Sequence, residues 1–345
     1  MRILGIESSC DETAAAIVED GVNILSNVVV SQIDIHSAYG GVIPEIAARS
    51  HIEAINPVIN QALSDAKLTA KDLDAIAVTH TPGLVGSLLV GTLAARTIAI
   101  LNNIPFYPTH HLKSHIYANW LSGNQPEFPL LAAVVSGGHT QIIYMERHDH
   151  FEIIGTTRDD AIGECFDKVA KILGLPYPGG PAIAKAALNG DPKKYRLPIP
   201  QVSDLDFSFS GIKTAVLRAI QKDLNLPITT PSHELAAKLS NQQIADFAAS
   251  FQATAIDILI RKLKTASETH PAKSIVLAGG VSANQLLRTE LEKAFSKTHQ
   301  VFYPKPEYST DNGAMVASAA YFSIQAGDQP TDPYSLDISP RSAIY

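Results

Sequence analysis

The chain alternates short apolar runs with polar or glycine-rich breaks, most clearly over Leu130–Tyr144, LLAAVVSGGHTQIIY. Ala132–Val135 is one apolar run, Ser136-Gly137-Gly138 interrupts it, and Thr140–Tyr144 resumes it. Runs of this kind around a pair of glycines predict strand, tight turn, strand. The N-terminus repeats the plan. Arg2–Glu7 and Thr13–Val18 read as strands around the polar turn Ser8-Ser9-Cys10-Asp11-Glu12, and Val22–Val30 reads as a third. A second kind of unit also occurs twice. Ala75–Thr79 is an apolar strand followed by Thr81-Pro82-Gly83 and a small-residue helix, Leu84 to Asn102. Ser274–Ala278, the Gly279-Gly280 loop and a helix from Ser282 to the neighbourhood of Phe295 repeat it. Apolar positions at helical spacing from Pro44 to Ala66 predict a helix with proline in its first turn.

Two hairpins with polar turns and two strand–loop–helix units amount to an internal duplication. The expected architecture is α/β, two like halves facing each other, with a ligand at the strand ends between them. The first half is expected over 1–110, completed by the C-terminal helix and tail at 312–345, and the second over 111–311. The second carries an insert from Phe151 to Leu263. It holds turns at Pro176, Pro178, Gly179, Gly180 and Pro181, a polar strip Asp204–Gly211, and helices through Asn241–Lys264. A final helix, Asn312–Ile324, precedes a Pro/Ser/Asp tail expected to be loosely ordered.

Composition narrows the setting. A chain of 345 residues, 46% hydrophobic and 18% charged, can bury two ordered cores. The net charge of −7 gives no bulk sign of nucleic-acid binding. Such a partner needs a local basic patch or another subunit. The basic clusters are Lys193, Lys194 and Arg196, and Arg261, Lys262 and Lys264. Two cysteines, Cys10 and Cys165, make no disulfide framework, which suits a reducing compartment. The first apolar run is too short for a signal peptide. The longest one, around Leu84–Leu101, is broken by Gly86, Ser87, Gly91 and Arg96, so no spanning segment is expected. These features predict a cytoplasmic protein with no membrane partner.

Several residues stand out chemically. The Ser136-Gly137-Gly138 turn lets backbone N–H groups approach a ligand such as a phosphate, because no Cβ intervenes; an ordinary Gly-Gly hairpin explains it too. His111 and His115, four apart in THHLKSHIYANWL, fall on one helical face, the spacing for a shared metal ion or for two ordinary hydrogen-bonded histidines. Position 112 is leucine, so the zinc-protease HExxH pattern is absent. A two-histidine site wants a carboxylate, and Asp311 is a candidate, its other role being a helix N-cap. The helix Ala161–Leu173 carries Glu164, Asp167, Lys168 and Lys171 on one face, with Asp160 the expected cap. A carboxylate there, near Gly179-Gly180, suits ligand hydroxyls. Gly279-Gly280 followed by Asn284 suits a nucleotide base, and a plain helix start as well.

In this order the pieces resemble the TsaD family of tRNA N6-adenosine threonylcarbamoyltransferases. The segments that carry the resemblance are GIESSCDETAAAIV, GGVIPEIAARSHI, TPGLVGSLLVG, HHLKSHI, VVSGGHTQ, DDAIGECFDKVAKILGLPYPGGP, FSFSGIKTAV, LAGGVSANQLLR and STDNGAMVA, which span nearly the whole chain. The resemblance implies the duplicated RNase H-like fold of actin, sugar kinases and the Hsp70 ATPase. It implies a mononuclear divalent metal, Fe2+ before Zn2+, on His111, His115 and Asp311. It implies that Val134, Val135, Ser136, Gly137, Gly138, Asp167, Gly180 and Asn284 bind threonylcarbamoyl-AMP, with ATP and AMP as related ligands. Many members carry Asp at the position of Ala184, so here the ribose is expected to rely on Asp167 and backbone groups. The implied partners are tRNA, the TsaB and TsaE subunits of the bacterial complex, and the threonylcarbamoyl-AMP synthase as a functional link.

The implied reaction moves the threonylcarbamoyl group to N6 of the adenosine 3′ of the anticodon, in tRNAs reading codons that start with A, and releases AMP. That amine is a poor nucleophile and AMP a good leaving group, so alignment and charge stabilisation matter most. Asp11 or Glu12 is the expected acceptor of the amine proton. Two other functions fit the motifs. An ATP-dependent kinase or ATPase of the same fold would favour Mg2+ on oxygen ligands, against which the histidine pair speaks. A non-catalytic ATP-binding scaffold would tolerate loss of Asp311.

Overall fold

Two five-stranded sheets organise the protein, seen in a computed structural model that describes residues 1–200, 202 and 205–341. The first contains β1 (Arg2–Glu7), β2 (Glu12–Glu19), β3 (Asn23–Ser31), β4 (Ala75–Thr81) and β5 (Phe106–His110), in the order β3-β2-β1-β4-β5. The second contains β6 (Leu130–Val135), β7 (Thr140–Arg147), β8 (His150–Thr156), β9 (Ser274–Ala278) and β10 (Gln300–Phe302), in the order β8-β7-β6-β9-β10. The two orders match strand for strand, which is the duplication the sequence pattern predicts. β1 pairs antiparallel with β2, Ile6 opposite Ala15, and parallel with β4, Ile6 opposite Val78. β6 pairs parallel with β9, Val134 opposite Ala278.

The helices are α1 (Ile33–Ser37), α2 (Pro44–Asp65), α3 (Val85–Asn102), α4 (His111–Leu121), α5 (Ile162–Ile172), α6 (Gly179–Ala187), α7 (Ser210–Asp223), α8 (Asn241–Thr269), α9 (Gln285–Phe295), α10 (Pro306–Ser309) and α11 (Gly313–Gln325). They group into two units. One comprises Met1–Phe128, Met145–Glu152 and the chain from Phe302 onward, the other Pro129–Tyr144 and Ile153–Val301.

In the first unit both faces of the sheet are covered, which is why β1 and β2 read as continuous apolar runs. Leu4, Ile6, Ala15 and Ile17 pack with Ile55, Val58 and Ile59 of α2 and Ala95 and Ala99 of α3. Ile3, Ala16 and Val18 point the other way, onto Ala314, Ala317 and Ala320 of α11 and Ala118 of α4. In the second unit α5 packs on α6, α7 and α8, and α8 packs on β6. A capping box between Ser240 and Gln243 starts α8.

Four expectations change. Gly179 and Gly180 open α6 rather than a turn. The helix after Gly279 is in two parts, a 3-10 turn over Gly280–Ala283 and then α9 from Gln285. The C-terminal tail is hydrogen-bonded: Thr331 N–H donates to Phe106 C=O at 2.8 Å, and Ser339 N–H to His80 C=O at 3.1 Å. Finally, α3 is long and apolar enough to cross a membrane by length and composition, although one side of it packs on α2 and β4. Ser87 and Gly91, which interrupt its apolar run, lie on that packed side: a Cβ on Gly91 would stand 2.3 Å from Ser8 Oγ. In the polar strip, Asp204 lies outside the described residues. Its far end is tied to Asp159, which accepts from Ser208 Oγ at 2.6 Å, Phe209 N–H at 2.7 Å and Ser210 Oγ at 2.7 Å.

Candidate functional site

His111 and His115 occupy the first turn and a half of α4, with ring centroids 4.6 Å apart. The preceding His110 caps the helix: its Nδ1 accepts from Leu112 N–H at 3.2 Å. Asp311 reaches the pair because α11 starts directly over β1. A Cβ on Gly5 would stand 2.2 Å from Gly313 C=O, and one on Gly313 would stand 2.5 Å from Ala16 N. Only two glycines permit that backbone approach. The cap of α11 is Asn312, whose Oδ1 accepts from Met315 N–H at 2.9 Å. Asp311 is therefore not the cap, and its Oδ1 stands 3.1 Å from His115 Nε2 and 3.7 Å from His111 Nε2. The three possible ligand atoms lie within 4.8 Å of one another.

The electrostatics of this cluster centre on buried carboxylates. Glu7, fully buried at the end of β1, accepts from Thr79 Oγ1 at 2.7 Å and Ser9 N–H at 2.6 Å, and its Oε2 is 3.1 Å from His111 Nδ1. Burial alone would raise its carboxyl. The charge of His111 and the hydrogen bonds from His111 and Thr79 outweigh burial and hold it below the usual range. For His111 burial works downward, but Asp311 and Glu7 lift the imidazole to about 9. Glu12 shows the reverse balance. Burial, then the charges of Asp311 and Asp11, push its carboxyl up to about 10. Excess negative charge of this kind is what a bound cation relieves.

The residues fit a metal. His115 is buried, its Nδ1 makes no hydrogen bond, and its Nε2 faces Asp311 Oδ1 at 3.1 Å without hydrogen-bond geometry. A buried imidazole with no hydrogen bond is costly unless a group that is not protein completes it. Two imidazoles and one carboxylate are the donor set of a transition-metal site that keeps open positions.

The Asp11–Glu12 stretch lies in the same unit and is held firmly. His51 Nε2–H donates to Cys10 C=O at 2.9 Å, and Gln32 N–H donates to Asp11 C=O at 3.0 Å. Burial keeps His51 neutral by pushing its pKa down, so its Nδ1 accepts from Thr13 Oγ1 at 2.7 Å.

The remaining sequence-derived candidates all lie in the second unit. Val134 and Val135 are fully buried in β6, so only their backbone is available to a ligand. Ser136 and His139 close the turn, Ser136 N–H to His139 C=O at 2.9 Å and His139 N–H to Ser136 Oγ at 3.2 Å. The N-terminus of α5 abuts this turn: a Cβ on Gly163 would stand 2.5 Å from Ser136 C=O. Its cap comes from Thr140 Oγ1, which accepts from Ile162 N–H at 2.8 Å, and not from Asp160, which pairs with Lys168 at 2.6 Å. Asp167 Oδ1 accepts from Gly179 N–H at 2.7 Å and so ties α5 to the start of α6. Asn284 Oδ1 caps α9 through Leu287 N–H at 3.1 Å, and its Nδ2 donates to Gln252 Oε1 at 2.9 Å, which leaves one N–H for a ligand.

Four glycines of this region share a property. Gly137, Gly138, Gly180 and Gly280 have no left-handed φ, and a Cβ on any of them would meet nothing within 4 Å. Neither backbone strain nor protein packing requires glycine there, and the bare backbone leaves room for a ligand to approach.

The sequence pattern missed Glu7, Thr79 and His51. A carboxylate ending the apolar run Ile3–Ile6 was the available signal for Glu7, since acids are rarely buried unpaired.

Residues 23–318 match the family model described as TsaD: tRNA N6-adenosine threonylcarbamoyltransferase. Proteins of that name from Caldicellulosiruptor saccharolyticus and Dehalococcoides mccartyi are 47% and 48% identical. The alignments cover 100% of this chain and 98% and 99% of theirs. Among solved structures, component A of the (R)-2-hydroxyglutaryl-CoA dehydratase of Acidaminococcus fermentans superposes with a TM-score of 0.52. That match has 16% identity and covers 94% of this chain and 99% of that one, a likeness of fold alone.

Proposed function

We propose how the reaction is run by a chain that belongs to the TsaD family, the tRNA N6-adenosine threonylcarbamoyltransferases. The protein has the duplicated RNase H-like fold and forms threonylcarbamoyl-adenosine in tRNA.

His111, His115 and Asp311 hold a divalent metal, and the observation that carries this assignment is buried His115, which has no hydrogen bond on either ring nitrogen and faces Asp311 through Nε2. Such a cation supplies Lewis acidity toward the carbamoyl-phosphate oxygens when bound. Two imidazoles favour Fe2+ or Zn2+ over Mg2+, which weighs against a phosphoryl-transfer role.

Threonylcarbamoyl-AMP binds in the second unit. The bare backbone of Gly137 and Gly138 offers N–H groups to its phosphate, beside the N-terminus of α5. Gly180 and Gly280 leave room for the nucleoside, Asp167 accepts from a ribose hydroxyl, and the remaining Asn284 N–H meets the base edge. As the N6–carbon bond forms and the anhydride C–O bond breaks, AMP departs with the electron pair and N6 loses a proton. Asp11 or Glu12 accepts that proton.

The TsaB and TsaE subunits are the proposed protein partners. Exposed Val85, Leu89 and Leu93 at four-residue spacing on α3, with Ile52 on α2, form an apolar stripe suited to another subunit. The cytoplasm is the proposed setting, with the adenylate supplied by the synthase that makes it.

The test is a reconstitution with tRNA, threonine, bicarbonate, ATP, the adenylate-forming enzyme and partner subunits, together with metal analysis. His115→Ala is expected to lose both stoichiometric metal and threonylcarbamoyl-adenosine formation. Full retention of either would overturn the metal assignment.

A further inference from the structure

We infer that Glu7 is a positioning residue for the metal, one that fixes which nitrogen of His111 is a ligand; the inference rests on the proposed metal site. The geometry is specific. Glu7 is fully buried, and its Oε2 lies 3.1 Å from His111 Nδ1. Asp311 lies on the other side of the ring, 3.7 Å from Nε2. A proton on Nδ1 donated to Glu7 leaves the Nε2 lone pair directed at the site. Carboxylate partners of this kind fix the tautomer of a ligating histidine and raise its basicity.

The surroundings of Glu7 admit only a carboxylate. Oε1 accepts from Ser9 N–H at 2.6 Å, and Oε2 accepts from Thr79 Oγ1 at 2.7 Å as well as facing His111. Every partner position therefore calls for an acceptor. A glutamine must turn its NH2 toward one of these donors in either amide orientation. With NH2 against His111, Nδ1 becomes the acceptor, the ring proton moves to Nε2, and that lone pair is lost to the metal. Ser9 Oγ, 3.2 Å from Nδ1, is too weak an acceptor to replace the carboxylate, because a hydroxyl carries no charge.

Zn2+ titrated into the metal-free full-length protein against a competing chelator tests this without any turnover. Glu7→Gln is expected to bind Zn2+ about 10–100-fold more weakly. Proton–nitrogen NMR of the Zn2+ form should show a His111 Nδ1–H signal in the wild type that the variant lacks. Affinity within about twofold of wild type in Glu7→Gln, with His115→Ala abolishing binding, would overturn the inference and leave the metal site standing. Should Glu7→Gln not fold, Thr79→Val and Thr79→Ser carry the test. Loss of the hydroxyl loosens the Glu7 carboxylate and weakens Zn2+ binding, and serine restores it; equal affinity in both would sink the inference. If His115→Ala leaves Zn2+ binding unchanged, the ligand set is wrong and the role of Glu7 falls with it.

Discussion

The turn after β1 and the turn after β6 occupy the same place in two sheets of matching strand order, yet they are built oppositely. The first, Ser8–Asp11, is pinned on several sides. Ser8 Oγ donates to Ser87 C=O at 2.8 Å, His51 holds the Cys10 carbonyl, and Gln32 holds that of Asp11. It displays the Asp11 carboxylate, with Glu12 next to it at the start of β2. The second, Ser136–His139, closes on itself and displays two glycines with open space where side chains would stand. One position in the duplicated plan has thus become a holder of negative charge, fit for a proton or a cation. Its counterpart offers bare N–H groups, fit for an anion. Duplication supplied the frame, and side-chain identity at the turns divided the chemistry.

The sharpest break in this contrast comes from glycines required by packing. Gly313→Ala puts a Cβ 2.5 Å from Ala16 N and 2.7 Å from Gly5 C=O, backbone atoms that cannot swing aside. The start of α11 must lift from β1, and Asp311 goes with it. A loss of about 3 kcal/mol or more is expected in denaturant unfolding, together with loss of bound metal. A protein as stable as wild type would show that the close contact at β1 does not position Asp311.

Next in size is Asp11→Asn. It is made together with Glu12→Gln, which removes the other carboxyl of that stretch. The expected outcome is a fall in single-turnover rate of about 10²–10⁴-fold with adenylate bound. Metal content should be unchanged, because Asp11 is outside the candidate ligand set. An unaltered rate would transfer the base role elsewhere and leave the acidic turn as a purely electrostatic feature.

Much of this was legible in the sequence because it is local. The apolar runs of β1, β2, β6 and β9, and the i, i+4 pair on α4, follow from periodicity within a few residues. What was illegible depends on distant partners. Glu7 gains its meaning from Thr79 and His111, 72 and 104 positions away. Gly179 and Gly180 read as a turn because their helix start is secured by Asp167 of α5, twelve positions earlier, and not by a neighbouring cap. The tail looked unattached because its hydrogen bonds run to Phe106 and His80. The pairing of Gly137 with Gly138 hints at a ligand turn in sequence, but only the folded chain shows that no strain and no neighbour demands glycine there.

That last point gives a smaller effect of opposite kind to Gly313→Ala. Gly137→Ala adds a methyl group into open space at an ordinary φ, so stability should stay within about 0.5 kcal/mol of wild type. Affinity for AMP or a stable analogue of the adenylate, measured by calorimetry, should fall about tenfold, or about 1.4 kcal/mol. Wild-type affinity would mean that the turn does not carry the phosphate.

The smallest effect concerns the acidic turn in the absence of metal. Glu12 has a folded-state pKa of about 10 against a reference value of 4.5, burial being the largest cause. The native protein then holds a proton that the unfolded chain gives up. The stability contributed by protonated Glu12 is complete below pH 4.5 and is lost progressively as pH rises toward about 10. His111, lifted from 6.5 to about 9, adds a loss of the same sign between those two values, whereas Glu7, held low, contributes only at acidic pH. The informative quantity is therefore the difference between wild type and Glu12→Gln. Between pH 6 and pH 9 the melting temperature of the metal-free wild type should decline more steeply than that of the variant, whose amide has no proton to lose. Saturation with Zn2+ should shrink the difference, because a cation beside Asp311 offsets the negative charge that keeps Glu12 protonated. Parallel melting profiles with and without Zn2+ would mean that Glu12 is ionised across this range like an ordinary carboxylate, and the first turn would then carry its negative charge on Glu12 as well as on Asp11.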